Sequence, residues 1–436
     1  MQLRCGNYSA YQEYFRPNKP LHCKELLYIY AVFHKNHSAE VFSPLSTEQF
    51  DKKNYLCDTI VDAIMKKKKL WVVLALSLSI CSCASNQITL LSEKDFEGEV
   101  DGKKTALYTL HGGALTMQVT SFGARVVSLW APDRDGNCAD IATGYESVER
   151  YIHNDGERFL GAAIGPVGNR IAKGSYTLDG ERVQLPLNNN GNTLHGGFKG
   201  LDMVVWDVKE ANDSSILFHI VHPAGEEGWP GNLEVDMRYT LTYDNAFKIE
   251  YRATTDKAMP VSLTNHSFFN LRGQSDKSIL GHELWISASH TTPVDELLIP
   301  SGEVVSLDGS PLDFREMKPI GRDIDMHDDQ LSNGGGYDFN YCLDGSGYRK
   351  VASLYEPESG RLMDVWTDRC GLQFYSGNFF DGKSKDKYGT PIGWRCSIAL
   401  ETQSWPDAIN HPGFPDTVLR PGEVYTHICA YRFSTK

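Results

Sequence analysis

The stretch Arg238-Tyr239-Thr240-Leu241-Thr242-Tyr243, then Asp244-Asn245, then Ala246-Phe247-Lys248-Ile249-Glu250-Tyr251 decides the fold class. Apolar and polar residues alternate on both sides, so each half presents one apolar face, as a half-buried strand does. Asp244-Asn245 supplies residues that tolerate the left-handed backbone of a tight turn. The stretch therefore reads as an antiparallel hairpin across a two-residue turn. The same grammar extends outward. Ala106–Leu110, Leu115–Val119 and Arg125–Leu129 alternate at least in part, and turns follow at Asp101-Gly102, Asp135-Gly136, Asp179-Gly180 and Asp344-Gly345. Helical periodicity is weak, with one short candidate around Ser147–Tyr151. Neither a linker nor a repeat interrupts the chain after Ile88. The expectation is an all-β chain folded as one large antiparallel β-sandwich.

Charge and composition narrow the function. The chain has 436 residues and a formal net charge of −13, so polyanions are repelled and nucleic acid is not an expected partner. Neither a dinucleotide fingerprint nor a GxxxxGK[ST] phosphate loop occurs. The strongest basic run is Lys66–Lys69, between Met65 and an apolar stretch Leu70–Ile80. That order reads as a secretory signal, and the apolar run is too short for a permanent membrane span. Ile80-Cys81-Ser82-Cys83 resembles a bacterial lipobox, which makes Cys83 the expected lipidated residue. Residues 65–82 are then a lipoprotein-type signal peptide and 83–436 the folded domain. Residues 1–64 are expected to be a non-native or unstructured extension ahead of a start at Met65. The location implied is the bacterial periplasm or outer membrane, with membrane contact through the lipid alone. Beyond Cys83 lie Cys138, Cys342, Cys370, Cys396 and Cys429; none forms a metal-type CxxC, and they read as small buried residues.

Chemistry concentrates in a few strings. His266 stands in Asn265-His266-Ser267-Phe268-Phe269, after strand-like Val261–Leu263, with two phenylalanines to seal it from water. Glu401 follows the apolar run Cys396–Leu400, and a carboxylate at the end of a buried strand is costly unless paired or used. Gln403 shares its face. A carboxylate and an imidazole can exchange protons with a substrate near neutral pH without any cofactor. Asn169-Arg170 lies in a glycine-bounded string, where a guanidinium suits vicinal hydroxyls or a carboxylate. His195 sits on the glycine-rich loop Asn192–Gly197, and Asp338 lies among aromatics in Gly336–Asn340. His195, His266 and Asp338 are the conceivable metal set, but no HxH or HExxH signature supports it. Neither a metal nor a cofactor is expected.

Together the strings resemble the aldose 1-epimerase (galactose mutarotase) family from about Ala106 to Tyr431. The carrying landmarks are Gly168–Ile171, Asn192–Gly197, Gly225–Leu233, Thr264–Leu271, Ile299–Glu303, Gly336–Asp338, Phe374–Asn378 and Leu400–Gln403, in that order. The resemblance implies the family's twisted supersandwich and a hexopyranose substrate. It implies Glu401 as general base and His266 as general acid, acting across a bound sugar. Asn169, Arg170, His195, Asp338 and Gln373 are implied to hold its hydroxyls and ring oxygen. Phe268 stands where the family often has tyrosine, and Phe339 follows Asp338 where many members have histidine. Alternatives are a non-catalytic carbohydrate-binding module or an epimerase for another sugar, such as a disaccharide or a hexose 6-phosphate.

Overall fold

A computed structural model describes residues 88–153, 156–273 and 277–436. The signal-type segment 65–82, Cys83 and the extension 1–64 lie outside the described residues.

The hairpin forms and is longer than its sequence pattern suggested. Strands Leu233–Leu241 and Ala246–Thr255 pair antiparallel, with Tyr239 opposite Ile249 and Leu241 opposite Phe247. Leu233, Val235, Met237, Tyr239 and Leu241 are buried on one face, as period-two alternation requires. The turn, however, spans four residues, because the first strand ends at Leu241. Within Thr242–Asn245 only Asn245 adopts a left-handed φ, of 61°. Thr242 caps the reversal instead: its backbone N–H donates to Ala246 O at 2.9 Å, and its hydroxyl accepts from Ala246 N at 3.0 Å.

Among the described residues the three largest sheets have nine, six and four strands, all antiparallel. The hairpin sits in the nine-stranded sheet, and Ala246–Thr255 pairs on its other side with Tyr425–Thr435. The six-stranded sheet runs in the order Phe268–Phe269, Ile398–Gln403, Gly371–Tyr375, Asp338–Leu343, Ala288–Thr291, Val305–Ser306. The described α-helices are two short ones, Val148–Ile152 and Asp329–Gly334. The first is the expected helix, with the Ser147 hydroxyl accepting from Arg150 N. All five described cysteines are free thiols. Cys342, Cys396 and Cys429 are buried as expected, whereas Cys138 and Cys370 are only partly so.

The face-to-face contact of the two large sheets decides where polar groups can go. Phe269 packs on Tyr431 with ring centroids 5.0 Å apart, and the Tyr431 hydroxyl donates to Leu400 O at 2.9 Å. Thr402 meets the imidazole of His427 at 2.9 Å. Leu400, Thr402 and Phe269 thus look into the core toward the nine-stranded sheet. Their neighbours Glu401, Gln403 and Phe268 necessarily look out of the opposite face.

Candidate active site

That opposite face of the six-stranded sheet is polar. Gln373 lies directly across from Glu401 on one side and from Asn340 on the other, while Asp338 lies across from Tyr375. Residues opposed in an antiparallel ladder share a face, so Asp338, Asn340, Gln373, Glu401 and Gln403 form one patch. The patch is internally wired. Gln373 donates to Asp338 Oδ1 at 2.7 Å, and Gln403 donates to Gln373 Oε1 and Asn340 Oδ1, both at 3.2 Å. Glu401 is the fourth residue of the six-residue strand Ile398–Gln403, not at its end. Its charge is set by the strand's face rather than by a strand terminus.

The histidines arrive from other elements. His266 ends the strand Thr264–His266, paired with Ala162–Ile164. Its Nε2 lies 3.4 Å from Glu401 Oε1, and both residues are buried, 5% and 2% exposed. The other atom of each group, His266 Nδ1 and Glu401 Oε2, has no hydrogen-bond partner. Two orphaned polar atoms on one buried pair are unusual, because such atoms are costly unless a ligand satisfies them. Phe268 packs against His266 at 4.9 Å, as expected of a seal, but Phe269 belongs to the core on the other side.

His195 follows the two-residue strand Thr193–Leu194, whose partner is Arg170–Ile171. The two segments lock together at their ends. His195 N donates to Asn169 O at 3.0 Å, and Asn169 N donates to His195 Nδ1 at 3.1 Å. Both residues adopt left-handed φ, 60° at Asn169 and 53° at His195. The Asn169 carboxamide turns back to accept from Arg170 N. Arg170 is anchored through Nε to Asn189 Oδ1 at 3.2 Å.

Burial dominates the electrostatics. It pushes the Glu401 carboxyl well above the usual carboxylate range, and Asp338 and Glu157 add to the rise while Arg170 opposes it. It raises Asp338 too, against Arg170 and the Gln373 hydrogen bond. It lowers His266 to about 3 and His195 well below the usual imidazole range. The neutral pair, carboxylic acid beside imidazole, is therefore favoured in the unliganded site. That pair holds the same single exchangeable proton as carboxylate beside imidazolium. The two forms differ only in which partner carries that proton, and the atoms stand 3.4 Å apart, slightly beyond direct hydrogen-bond reach.

His195, His266 and Glu401 place their ligand-type atoms within 4.8 Å of one another. This is not the set the sequence made conceivable: Asp338 is engaged with Gln373, and Glu401 stands in its place. The set does not fit a metal well. A ligating histidine normally donates its second N–H to an acceptor. Here the Asn169 amide donates to His195 Nδ1, which puts the imidazole proton on Nε2, the nitrogen a metal would need. The arrangement suits hydrogen bonding and proton transfer.

Several neighbours had no role assigned from the sequence. Phe159 packs edge-on against His195 at 4.6 Å and stacks with His266 at 5.8 Å. Its segment is clamped by the buried Arg125, which donates to the carbonyls of Arg158 and Leu160 at 2.9 and 3.0 Å. Tyr375 stands beside Asp338, Glu157 and Arg170, whose charges act on its hydroxyl. No motif marks Phe159 or Arg125, which only long-range packing brings in; Tyr375 falls within the landmark Phe374–Asn378, which gave it no role of its own.

The aldose 1-epimerase family profile matches residues 106–432. A galactose mutarotase of Bos taurus is 41% identical over 328 residues, covering 75% of this chain and 93% of that protein. The chain belongs to the aldose 1-epimerase family. An aldose 1-epimerase of Escherichia coli K12 is 39% identical over 339 residues, or 76% of this chain and 96% of its own. Among solved structures, a GalM/aldose epimerase homologue from C. elegans superposes with a TM-score of 0.69 at 27% identity. It covers 76% of this chain and 99% of its own. A galactose 1-epimerase from Lactobacillus acidophilus NCFM gives 0.68 at 27% identity, over 78% and 97%. The likeness covers the described β-domain, so this aldose 1-epimerase family member carries the family fold, as its strand pattern implied.

Proposed function

We propose that the protein is a mutarotase that interconverts the α and β anomers of free hexoses such as galactose or glucose. The observation that carries the reading is the buried His266–Glu401 contact with an orphaned atom on each partner. Mutarotation removes the proton of the anomeric hydroxyl and protonates the ring oxygen. The C1–O5 bond breaks, the aldehyde turns about C1–C2, and closure on the other face gives the other anomer.

Both oxygens are bonded to C1, so they lie within one bond angle of each other. An acid and a base side by side match them better than a pair separated by the sugar's width, which the sequence reading expected. In this reading Glu401 takes the O1 proton as carboxylate and His266 donates to O5 as imidazolium, with roles reversed on closure. Arg170, whose charge favours the ionised carboxylate, helps bring the pair to that form once sugar hydroxyls fill the site. Asn169, Arg170, His195, Asp338 and Gln373 hold the hydroxyls, and Phe159 with Phe268 walls off the imidazole. A binding module would need the holding residues without a buried proton-exchanging pair.

Glu401→Gln keeps the size and removes the base. Polarimetry of fresh α-D-galactose should show the catalysed rate falling about 10²–10⁴-fold while sugar binding persists. A variant with full activity would remove Glu401 from the reaction.

The Met65–Cys83 string supports a second part of the proposal, a lipid anchor at Cys83 in the periplasm or outer membrane. Cells grown on labelled fatty acid should label the protein, and label surviving in Cys83→Ala would overturn the anchor.

A further inference from the structure

The strand that carries Arg170 is two residues long, and the sheet it makes with Thr193–Leu194 has only those two strands. Thr193–Leu194 holds one edge of it, and Asp407 holds the other. The Asp407 backbone N–H donates to Arg170 O at 3.0 Å, and its Oδ1 accepts from Ala172 N at 3.0 Å. These two bonds flank Ile171, as those of one residue in a neighbouring parallel strand would, with a carboxylate oxygen in place of a backbone carbonyl. Asp407 is 2% exposed and adopts a left-handed φ of 56°, a conformation that a residue other than glycine keeps only where its surroundings fix it. Two further groups meet its carboxylate: Asn410 Nδ2 donates to Oδ1 at 2.7 Å, and His411 Nε2 lies 3.2 Å from Oδ2.

Asp407 is tied equally to Glu401. It follows the strand Ile398–Gln403 after Ser404-Trp405-Pro406 alone. That link is pinned, because Ser404 N donates to Ser262 Oγ at 3.2 Å and Trp405 Nε1 donates to Cys370 O at 3.0 Å. Arg170 and Glu401 belong to different sheets, so no ladder sets their spacing. We propose that Asp407 is a positioning residue, which sets the Arg170 guanidinium against the Glu401 carboxyl and the bound sugar. The inference rests on the mutarotase reading above. Arg170 holds sugar hydroxyls in the ground state and the transition state alike, so displacing it raises KM more than it lowers kcat. The groups that act on Glu401 are His266 at 3.4 Å, Asp338 and Glu157, which raise the carboxyl, and Arg170, which lowers it. Moving Arg170 away therefore shifts the alkaline limb of kcat/KM to higher pH. A residue that only stabilised its own turn would move neither quantity.

The test is polarimetry of galactose across a range of pH for the wild type, Asp407→Gly, Asp407→Asn and Asn410→Ala. Glycine takes the left-handed φ without strain and keeps the N–H to Arg170 O, so it removes the carboxylate alone. Asparagine keeps an acceptor and tolerates the same backbone. Asn410→Ala removes the second donor to Oδ1 and a bond to Ser175 O, and leaves the ties to Arg170 and Ala172 in place. Asp407→Gly should raise KM about tenfold with kcat within about threefold, and move the alkaline limb up by about one pH unit. Asp407→Asn should bring KM back to within about threefold of the wild type. Asn410→Ala should lower the denaturant midpoint and leave KM and the limb where they were. Should Asp407→Gly not fold, Asp407→Ser, whose oxygen sits one bond too short for Ala172 N, reads the same two quantities. An unmoved KM and limb in the variant lacking the carboxylate would overturn the proposal. So would asparagine failing to rescue, or Asn410→Ala reproducing both shifts, which would make Asp407 a turn residue only. Absence of any hexose activity in the wild type would instead overturn the mutarotase reading itself.

Discussion

At the residue scale, the proton on the Glu401–His266 pair governs the pH profile. Burial raises the carboxyl and lowers the imidazole to about 3, so the one-proton form of the pair spans a wide range. Below that range the imidazole gains a proton and no base remains. Above it the carboxyl loses its proton and no acid remains. The profile of kcat/KM should therefore be a broad bell. Its acid limb should lie below pH 4.5, and its alkaline limb above the ordinary imidazole range near 6.5. Both limbs belong to the coupled pair rather than to either residue. An alkaline limb near 6.5 would show that the imidazolium titrates freely, contrary to its burial. His266 and Glu401 drew notice as polar side chains just after the apolar runs Val261–Leu263 and Cys396–Leu400, and the family resemblance supplied their roles. Phe159 was not legible: nothing around Glu157–Leu160 distinguishes a ring that touches two histidines from an ordinary core phenylalanine.

At the element scale, the site depends on loops that pass close to other backbone. Gly196 follows His195 with φ of 92°, and a Cβ there would lie 2.1 Å from Gly165 O. Its carbonyl also accepts from Trp229 Nε1 at 3.0 Å, which ties the loop to the core. Gly180 is the natural control, with φ of 82° and nothing within 4 Å of such a Cβ. Gly180→Ala carries only the backbone penalty, about 1–2 kcal/mol. Gly196→Ala adds a collision with backbone that cannot move without displacing His195. Denaturant unfolding should give it at least twice the loss of Gly180→Ala, and polarimetry should show a raised KM as His195 shifts. Equal losses would mean that the loop yields freely. The glycine pattern Gly196-Gly197 was visible in the sequence, but not that the loop would press against the chain's own backbone. The surface approached, Gly165, could not be read, because it depends on a pairing between distant short strands. The hairpin shows the same division: its apolar alternation placed the strands, while the hydroxyl of Thr242 lengthened the turn beyond its Asp-Asn signal.

At the scale of the whole molecule, period-two patterning made the β class legible, but partners separated by hundreds of residues were beyond it. Lys387 and Asp140 are such a pair. Lys387 lies in the connection between Gly371–Tyr375 and Ile398–Gln403, the two strands that carry Gln373 and Glu401. Its buried Nζ reaches Asp140 Oδ2 at 2.8 Å in the four-stranded sheet, and donates to the carbonyls of Val127 and Ala142. Asp140 has other partners: the Tyr388 hydroxyl donates to Oδ2 at 2.8 Å, and the Leu129 and Ala142 amides donate to Oδ1 at 3.0 and 3.2 Å. The two ends are therefore unequal. Asp140→Ala strands a buried ammonium whose ionised form burial already disfavours, and it frees two amides and a hydroxyl. A loss of about 3–5 kcal/mol is expected on unfolding in denaturant. Lys387→Met replaces the stem with apolar volume and leaves Asp140 three donors, so it should cost distinctly less. Combining the two should cost less than the sum of the separate losses, because the stranded charge disappears with the lysine. Equal single losses with strict additivity would show that the contact contributes nothing as a pair, and that the connection is held to the four-stranded sheet by its other hydrogen bonds.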